Sequence, residues 1–137
     1  HGRSSVGAAA YRAAEVHLDK RTGLTHNFEK KSHDILHKEI LLPESAPEWM
    51  KDRNKLWNHV EQTEKRKDAQ LAREFNIALP KELTVEQNIT LAKEYVQEQF
   101  VNRGMIADLC VHRGHKGGEE QPHIHIMLTM REVNEQG

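Results

Sequence analysis

The chain has 137 residues, 36% hydrophobic and 30% charged, with a formal net charge of −1. That length fits one domain and not two, and no apolar run approaches the ~20 residues of a membrane-spanning helix. Near-balanced charge excludes bulk electrostatic attraction to nucleic acid, so any such binding is local or metal-assisted. The lone Cys110 excludes an internal disulfide or a Cys-rich zinc motif and points to a reducing compartment. Histidine is the outlier, with ten copies. The chain opens at His1 with no Met and no signal-peptide pattern, and stops at Gly137 after a polar tail. Both ends therefore read as cut, as in an excised domain.

The first predicted element is a helix over 4–18, with Val6, Ala9, Ala10, Ala13 and Val16 as a stripe of small apolar residues, ended by Arg21-Thr22-Gly23. Tyr11 sits among its smallest side chains, which let another backbone or a polynucleotide come close. The plainer role for this tyrosine is a core anchor. Residues 33–42 read as a strand stopped by Pro43. A helix comes next, running to about residue 68, with Ser45 and Glu48 as a capping box and Pro47 in the first turn; Trp49, Leu56, Trp57 and Val60 share one face.

Residues 74–79 alternate and stop at Pro80, a strand by period two. Glu74, Asn76 and Ala78 share one side of it. Glu74 is either a carboxylate that orients a ligand histidine or takes a proton, or a solvated strand end. Residues 84–103 form a second strong helix, capped by Thr84 with Gln87 and closed by Gly104. Its stripe is Val85, Ile89, Ala92, Val96 and Phe100, and Tyr95 is expected beside Val96 in the core. A strand over 106–112, a turn through Gly117-Gly118 and a last strand over 123–130 complete the chain, the two strands pairing antiparallel. This order predicts one layered domain over 1–137, α+β or α/β.

The informative segment is His112, ten residues, then Pro122-His123-Ile124-His125. Residues two apart in a strand point to the same side, so His123 and His125 present two imidazoles together while Ile124, Ile126 and Leu128 line the other face. Pairing across the turn lets His112 join them. Three inward imidazoles suit a divalent metal and leave positions open for substrate. Taken singly, each histidine has a plainer role at the surface or in a hydrogen bond. His115, in the turn, is the rival third ligand. His17, His26, His33, His37 and His59 carry the plain role.

Three ordered motifs now stand together: Arg3-Ser-Ser-Val-Gly-Ala-Ala-Ala-Tyr11-Arg12, the run from Glu64 through Glu74-Phe75 to Pro80, and Pro122-His123-Ile124-His125. They resemble the MobA/MobL conjugative relaxases, and most of all the relaxase portion of Ti-type TraA proteins. The resemblance covers essentially the whole chain. It implies the His-hydrophobic-His (HUH) endonuclease fold, a central antiparallel sheet with helices packed mainly on one face. It also implies metal-dependent nicking of one DNA strand at a plasmid origin of transfer, in the bacterial cytoplasm. By motif, Tyr11 is the nucleophile that forms a 5′-phosphotyrosine, and His112, His123 and His125 hold the metal, Mg²⁺ or Mn²⁺ with Zn²⁺ as the alternative. Glu74 is an active-site carboxylate, and Arg3 and Arg12 contact DNA. The implied partners are single-stranded origin DNA, accessory relaxosome proteins and the type IV secretion coupling machinery, with no membrane insertion. Relatives usually carry a β-strand ahead of the small-residue helix and, in Ti-type proteins, a helicase portion downstream; this chain has neither and is expected to be the nicking module alone. Two rival classes stay open: a phosphoesterase or nuclease that uses water, and a non-catalytic DNA-binding module.

Overall fold

The computed structural model describes residues 5–63, 72–116 and 119–129. Helix α1 (Ser5–Ala13) leads into a hairpin of β1 (Val16–Asp19) and β2 (Leu24–Asn27), then a 3-10 turn at Glu29–Asp34 and strand β3 (Ile35–Leu41). A second 3-10 turn (Glu48–Lys51) precedes α2 (Arg53–Thr63), and after it come β4 (Ala72–Ala78), α3 (Val85–Gln99) and β5 (Ala107–His112). The short pair β6 (His115–Lys116) and β7 (Glu119–Glu120) then leads to β8 (His123–Thr129). Four strands form the main sheet in the order β3-β5-β8-β4, each neighbour antiparallel.

Several boundaries differ from the sequence reading. The opening helix ends at Ala13, because Ala14 turns left-handed at φ 54 and the Glu15 amide closes back on the Ala10 carbonyl at 2.9 Å. The chain then enters the β1–β2 hairpin. Arg21-Thr22-Gly23 is a turn, as its composition says, but it belongs to the hairpin: Gly23 sits at φ 76 and the Arg21 amide donates to Asp19 Oδ1 at 3.1 Å. The strand expected over 33–42 starts only at Ile35. No side chain caps the turn at Glu48, so the Ser45–Glu48 capping box does not form. Asp52 caps instead, accepting from the Lys55 amide at 3.1 Å at the start of α2. The expected continuation of this helix over 64–68, the Gly117-Gly118 turn and Arg3 lie outside the described residues. At α3 the expected capping box is present, with Gln87 N donating to Thr84 Oγ1 at 3.1 Å and Thr84 N to Gln87 Oε1 at 2.9 Å. Gly104 closes the segment at φ 95.

Period two divides the sheet into unlike faces. On one, Leu109, Val111, Ile124, Ile126 and Leu128 pack under Ala92 and Val96 of α3. On the other, Ile40 and Met127 pack under Val6, Ala8 and Ala9 of α1 and under Leu56 and Trp57 of α2, so two of the three helices cover the side that carries the histidines. Each such large apolar side chain contributes about 1.5–3 kcal/mol on full burial. The histidine side also buries charge. Arg53 grips Asp108 through Nε and Nη2 at 2.8–2.9 Å, Trp57 Nε1 donates to Asp108 Oδ2 at 2.8 Å, and Arg53 Nη1 reaches Glu15 at 3.0 Å. Each polar group thereby finds a partner, which buried charge requires. Asn58 of α2 ties down the hairpin, donating to the Leu18 carbonyl and accepting from the Lys20 amide, both at 2.9 Å.

Tyr95 corrects an expectation. It is 42% exposed on α3, its ring T-shaped to Phe100 at 6.2 Å. The buried α3 residues are Asn88, Ala92 and Val96, with Ile89 packed against the same core.

Candidate metal centre

Register places the histidines. His112 of β5 lies directly opposite His123 of β8, and His125 opposite Cys110. His112, His123 and His125 therefore share the face covered by α1 and α2, at the end of the sheet those helices leave open. One ring nitrogen from each lies within 4.8 Å of the others. Ring centres are 4.4 Å apart for His112 and His125, and 4.8 Å for His123 and His125. His123 Nε2 and His125 Nε2 stand 3.2 Å apart. Two nitrogens bound at ~2.1 Å to one ion are separated by roughly 3.0–3.4 Å for octahedral to tetrahedral angles, so this spacing fits a shared ion.

The outer ring nitrogens are held by oxygens. His123 Nδ1 donates to the Gln121 carbonyl at 3.0 Å, which turns the Nε2 lone pair inward. His112 Nδ1 faces Asp34 Oδ2 at 3.3 Å, and its Nε2 faces the Arg12 carbonyl at 2.9 Å. Ligation through His112 Nε2 requires that last contact to open. Asp34 is itself fixed, its Oδ1 accepting from the Gly114 amide at 2.9 Å and its carbonyl from Arg113 at 2.7 Å. Gly114 has to be glycine: it sits at φ 64, and a Cβ there would collide with the Gln121 carbonyl and stand 2.8 Å from the His123 ring. Burial, then the neighbouring His112, Arg12 and His123, pushes the pKa of His125 down to about 3. Burial also lowers His112, against the opposing pull of its hydrogen bond to Asp34. Both rings stay neutral at pH 7, the form that binds metal. The donor set therefore fits a divalent cation, and neutral imidazoles leave its full charge available.

These histidines share a cavity of about 370 Å³ with Tyr11, Arg12, Asp34 and His33. Tyr11 is 37% exposed and rests edge-on against Phe28 at 5.2 Å, with Arg12 Cζ 5.0 Å from its ring centre. Tyr95, on the helix covering the opposite face, lies away from this cavity. Arg12 also pairs with Glu74, Nε to Oε1 at 3.2 Å. Glu74 lies opposite Met127 on the histidine side of β4, but its partner among the described residues is Arg12 and not a ligand histidine. Sequence reading did not single out Asp34, Phe28 or Gly114. Only Gly114 carries a local mark, as a glycine beside the His112 strand.

The MobA/MobL family profile matches residues 3–137. The conjugal transfer protein TraA of Agrobacterium fabrum is 39% identical over 146 residues, covering 99% of this chain and 13% of that protein. The mobilization protein MobL of Acidithiobacillus ferridurans is 45% identical over 111 residues, covering 81% of this chain and 28% of that protein. The chain thus spans a minor part of the curated relatives it matches. A solved structure described as "Molecular Basis of Vancomycin Resistance Transfer in Staphylococcus aureus" superposes with a TM-score of 0.87 at 38% identity, over 98% of this chain and 66% of that one. With the antiparallel sheet and its His-Ile-His strand, that agreement bears out the HUH relaxase fold. The chain belongs to the MobA/MobL family.

Proposed function

We propose that this chain is the strand-nicking domain of a conjugative relaxase, cutting one strand of origin-of-transfer DNA by attack of Tyr11. The observation that carries the reading is the single cavity shared by Tyr11, Arg12 and the three histidines. Tyrosine, with an ordinary pKa near ~10, is a weak nucleophile at neutral pH and needs help at the phosphate. His112, His123 and His125 would hold a divalent ion, Mg²⁺ or Mn²⁺ with Zn²⁺ the alternative, and that ion would supply positive charge beside the scissile phosphate. Arg12 adds a second cation beside the tyrosine ring, held in place by Glu74. Asp34 keeps the His112 ring oriented. Phe28 braces Tyr11 from the hairpin side.

In the reaction the Tyr11 oxygen bonds to phosphorus as the bond from phosphorus to the 3′ oxygen breaks. The tyrosine proton is released, and the departing oxygen gains a proton to become a free 3′-hydroxyl. The 5′-phosphotyrosine retains the energy of the phosphodiester, so rejoining is the reverse step and needs no ATP. The strand must be single at the nick so that its backbone can bend into the cavity. We place the activity in the bacterial cytoplasm, with relaxosome proteins and the type IV secretion coupling machinery as partners. No described helix is long and apolar enough to cross a membrane.

The test is covalent capture. Labelled single-stranded origin DNA incubated with the chain and Mn²⁺ gives an adduct that survives denaturation and maps to the peptide containing Tyr11. Tyr11→Phe still binds DNA and metal and forms no adduct, and its stability changes by at most about 1 kcal/mol. Cleavage without an adduct would make the chain a water-using phosphoesterase, and binding without cleavage a non-catalytic module. An adduct on Tyr95, or cleavage persisting in Tyr11→Phe, would overturn the assignment.

A further inference from the structure

Tyr11 and Arg12 line a second cavity of about 620 Å³, formed between α1 and the β1–β2 hairpin. Gly7 and Ala8 form its helix side, and Asp19, Leu24, His26 and Phe28 its hairpin side. Two polar atoms here lack a hydrogen-bond partner among the described residues. Asp19 is wholly buried; its Oδ1 accepts from the Arg21 amide, but its Oδ2 has no such partner, and neither does the buried His26 Nε2. Buried polar groups are almost always satisfied. A ligand donor is the missing partner these atoms imply. Gly7 keeps the cavity in shape: a Cβ there would stand 3.0 Å from His26 Cε1 and drive the ring away from the helix.

We propose that this cavity takes one nucleobase of the bound single strand and selects a base bearing an amino group over thymine. The proposal rests on the nicking reading above. Tyr11 and Arg12 line both cavities, so a phosphate held at the histidines has its adjacent base within reach of the hairpin. The walls suit a base. Leu24, 60% exposed at the rim, and Phe28 supply apolar surface for its faces. Asp19 Oδ2 accepts from the exocyclic amino group of adenine, cytosine or guanine, while His26 Nε2 meets the neighbouring ring nitrogen or carbonyl in the tautomer that suits it. Thymine has no amino group: its one donor on that edge, N3–H, lies between two carbonyls whose oxygens crowd the carboxylate with like charge, so it pairs with Asp19 less well.

Oligothymidylate provides a frame-free probe, because a single substituted base can slide into register. The full chain with Mn²⁺ is titrated with all-thymine strands and with the same strands carrying one adenine, one guanine, one cytosine or one fluorescent 2-aminopurine. A single amino-bearing base is expected to tighten binding about tenfold, the scale of one well-made base contact, and 2-aminopurine fluorescence to be quenched on the aromatic wall. Asp19→Asn keeps an acceptor for the Arg21 amide but turns an NH₂ toward the cavity, and it should bind every strand as weakly as the all-thymine one. Leu24→Ala, at an exposed position that leaves the fold intact, should shrink the preference and the quenching even if Asp19→Asn fails to fold. Equal binding of all strands by the wild-type chain, or a preference that either folded variant retains in full, would overturn the base pocket and leave the nicking reading standing. No binding to any single strand would overturn both.

Discussion

The two faces of the main sheet are built from the same strands and do opposite things. Under α3, Leu109, Val111, Ile124, Ile126 and Leu128 form an apolar layer with Ala92 and Val96 that is replaceable by shape. On the other face the alternate residues of the same strands are Asp108, Cys110, His112, His123 and His125. There Asp108 is tied into the buried Arg53 and Trp57 network at one end, and the three imidazoles open onto a cavity at the other. The comparison teaches a division of labour within one period-two pattern. The apolar side anchors the strands and so sets the register that lines up the histidines on the other face, where Asp34 also holds the Arg113 and Gly114 amides beside them.

The largest separation should come from removing a ligand. His125→Ala is expected to abolish bound divalent metal and adduct formation while thermal unfolding of the metal-free chain changes little, because the ring sits at the cavity and not in the apolar layer. Metal content and unfolding are measured on the same sample. Full cleavage by this variant would remove the histidines from the mechanism. The mirror experiment is Ile126→Ala, one residue further along the strand and fully buried under α3. It should cost about 2–5 kcal/mol of stability and leave metal content per folded molecule unchanged. Metal lost in step with stability would show that the two faces are not separable.

A smaller effect is expected at Asp34. Asp34→Asn keeps the shape but weakens the grip on His112 Nδ1, and metal affinity should fall ~10–100-fold by competition titration, with the fold intact. Wild-type affinity would mean that the 3.3 Å contact does not orient the ring.

How far the sequence discloses these features depends on how local each one is. His-Ile-His alternation, the Thr84 cap and Gly104 are short-range patterns, and each is found in place. Asp34 reaches His112 from the far side of the β3–β5 pairing, 78 residues away in sequence, so nothing near it announces the contact. The β1–β2 hairpin hides for another reason: Val16, Leu18 and Leu24 are 40–60% exposed, so no buried stripe marks it, and the left-handed turn falls on an alanine. Tyr95 fails in the opposite direction. It adjoins Val96 in sequence, yet one residue is about 100° around a helix, enough to carry it from the buried stripe to solvent.

The mildest test uses pH in the metal-free chain. His125 has its folded pKa at about 3, against ~6.5 for an unfolded histidine. Above pH 6.5 both states hold the ring neutral, and it contributes no pH dependence. Between 6.5 and 3 the unfolded chain binds a proton that the folded chain refuses, so stability falls as pH drops through that window. Glu15 acts later. Burial raises its pKa, but hydrogen bonds from His17 and Lys38 and the charge of Arg53 outweigh that and hold it well below 4.5, so its stabilisation is lost only at pH below that value. The interval from 6.5 to 4.5 therefore isolates the histidines, His112 contributing in the same direction through its own lowered pKa. Urea unfolding with a chelator present, at half-unit steps, should show wild-type stability declining across that interval and a shallower decline in His125→Gln. Ile126→Ala, lowered in stability throughout, should run parallel to wild type, since it touches no titrating group. A His125→Gln curve parallel to wild type would mean that the imidazole cluster does not hold its rings neutral, and the contrast between the two faces would lose its electrostatic half.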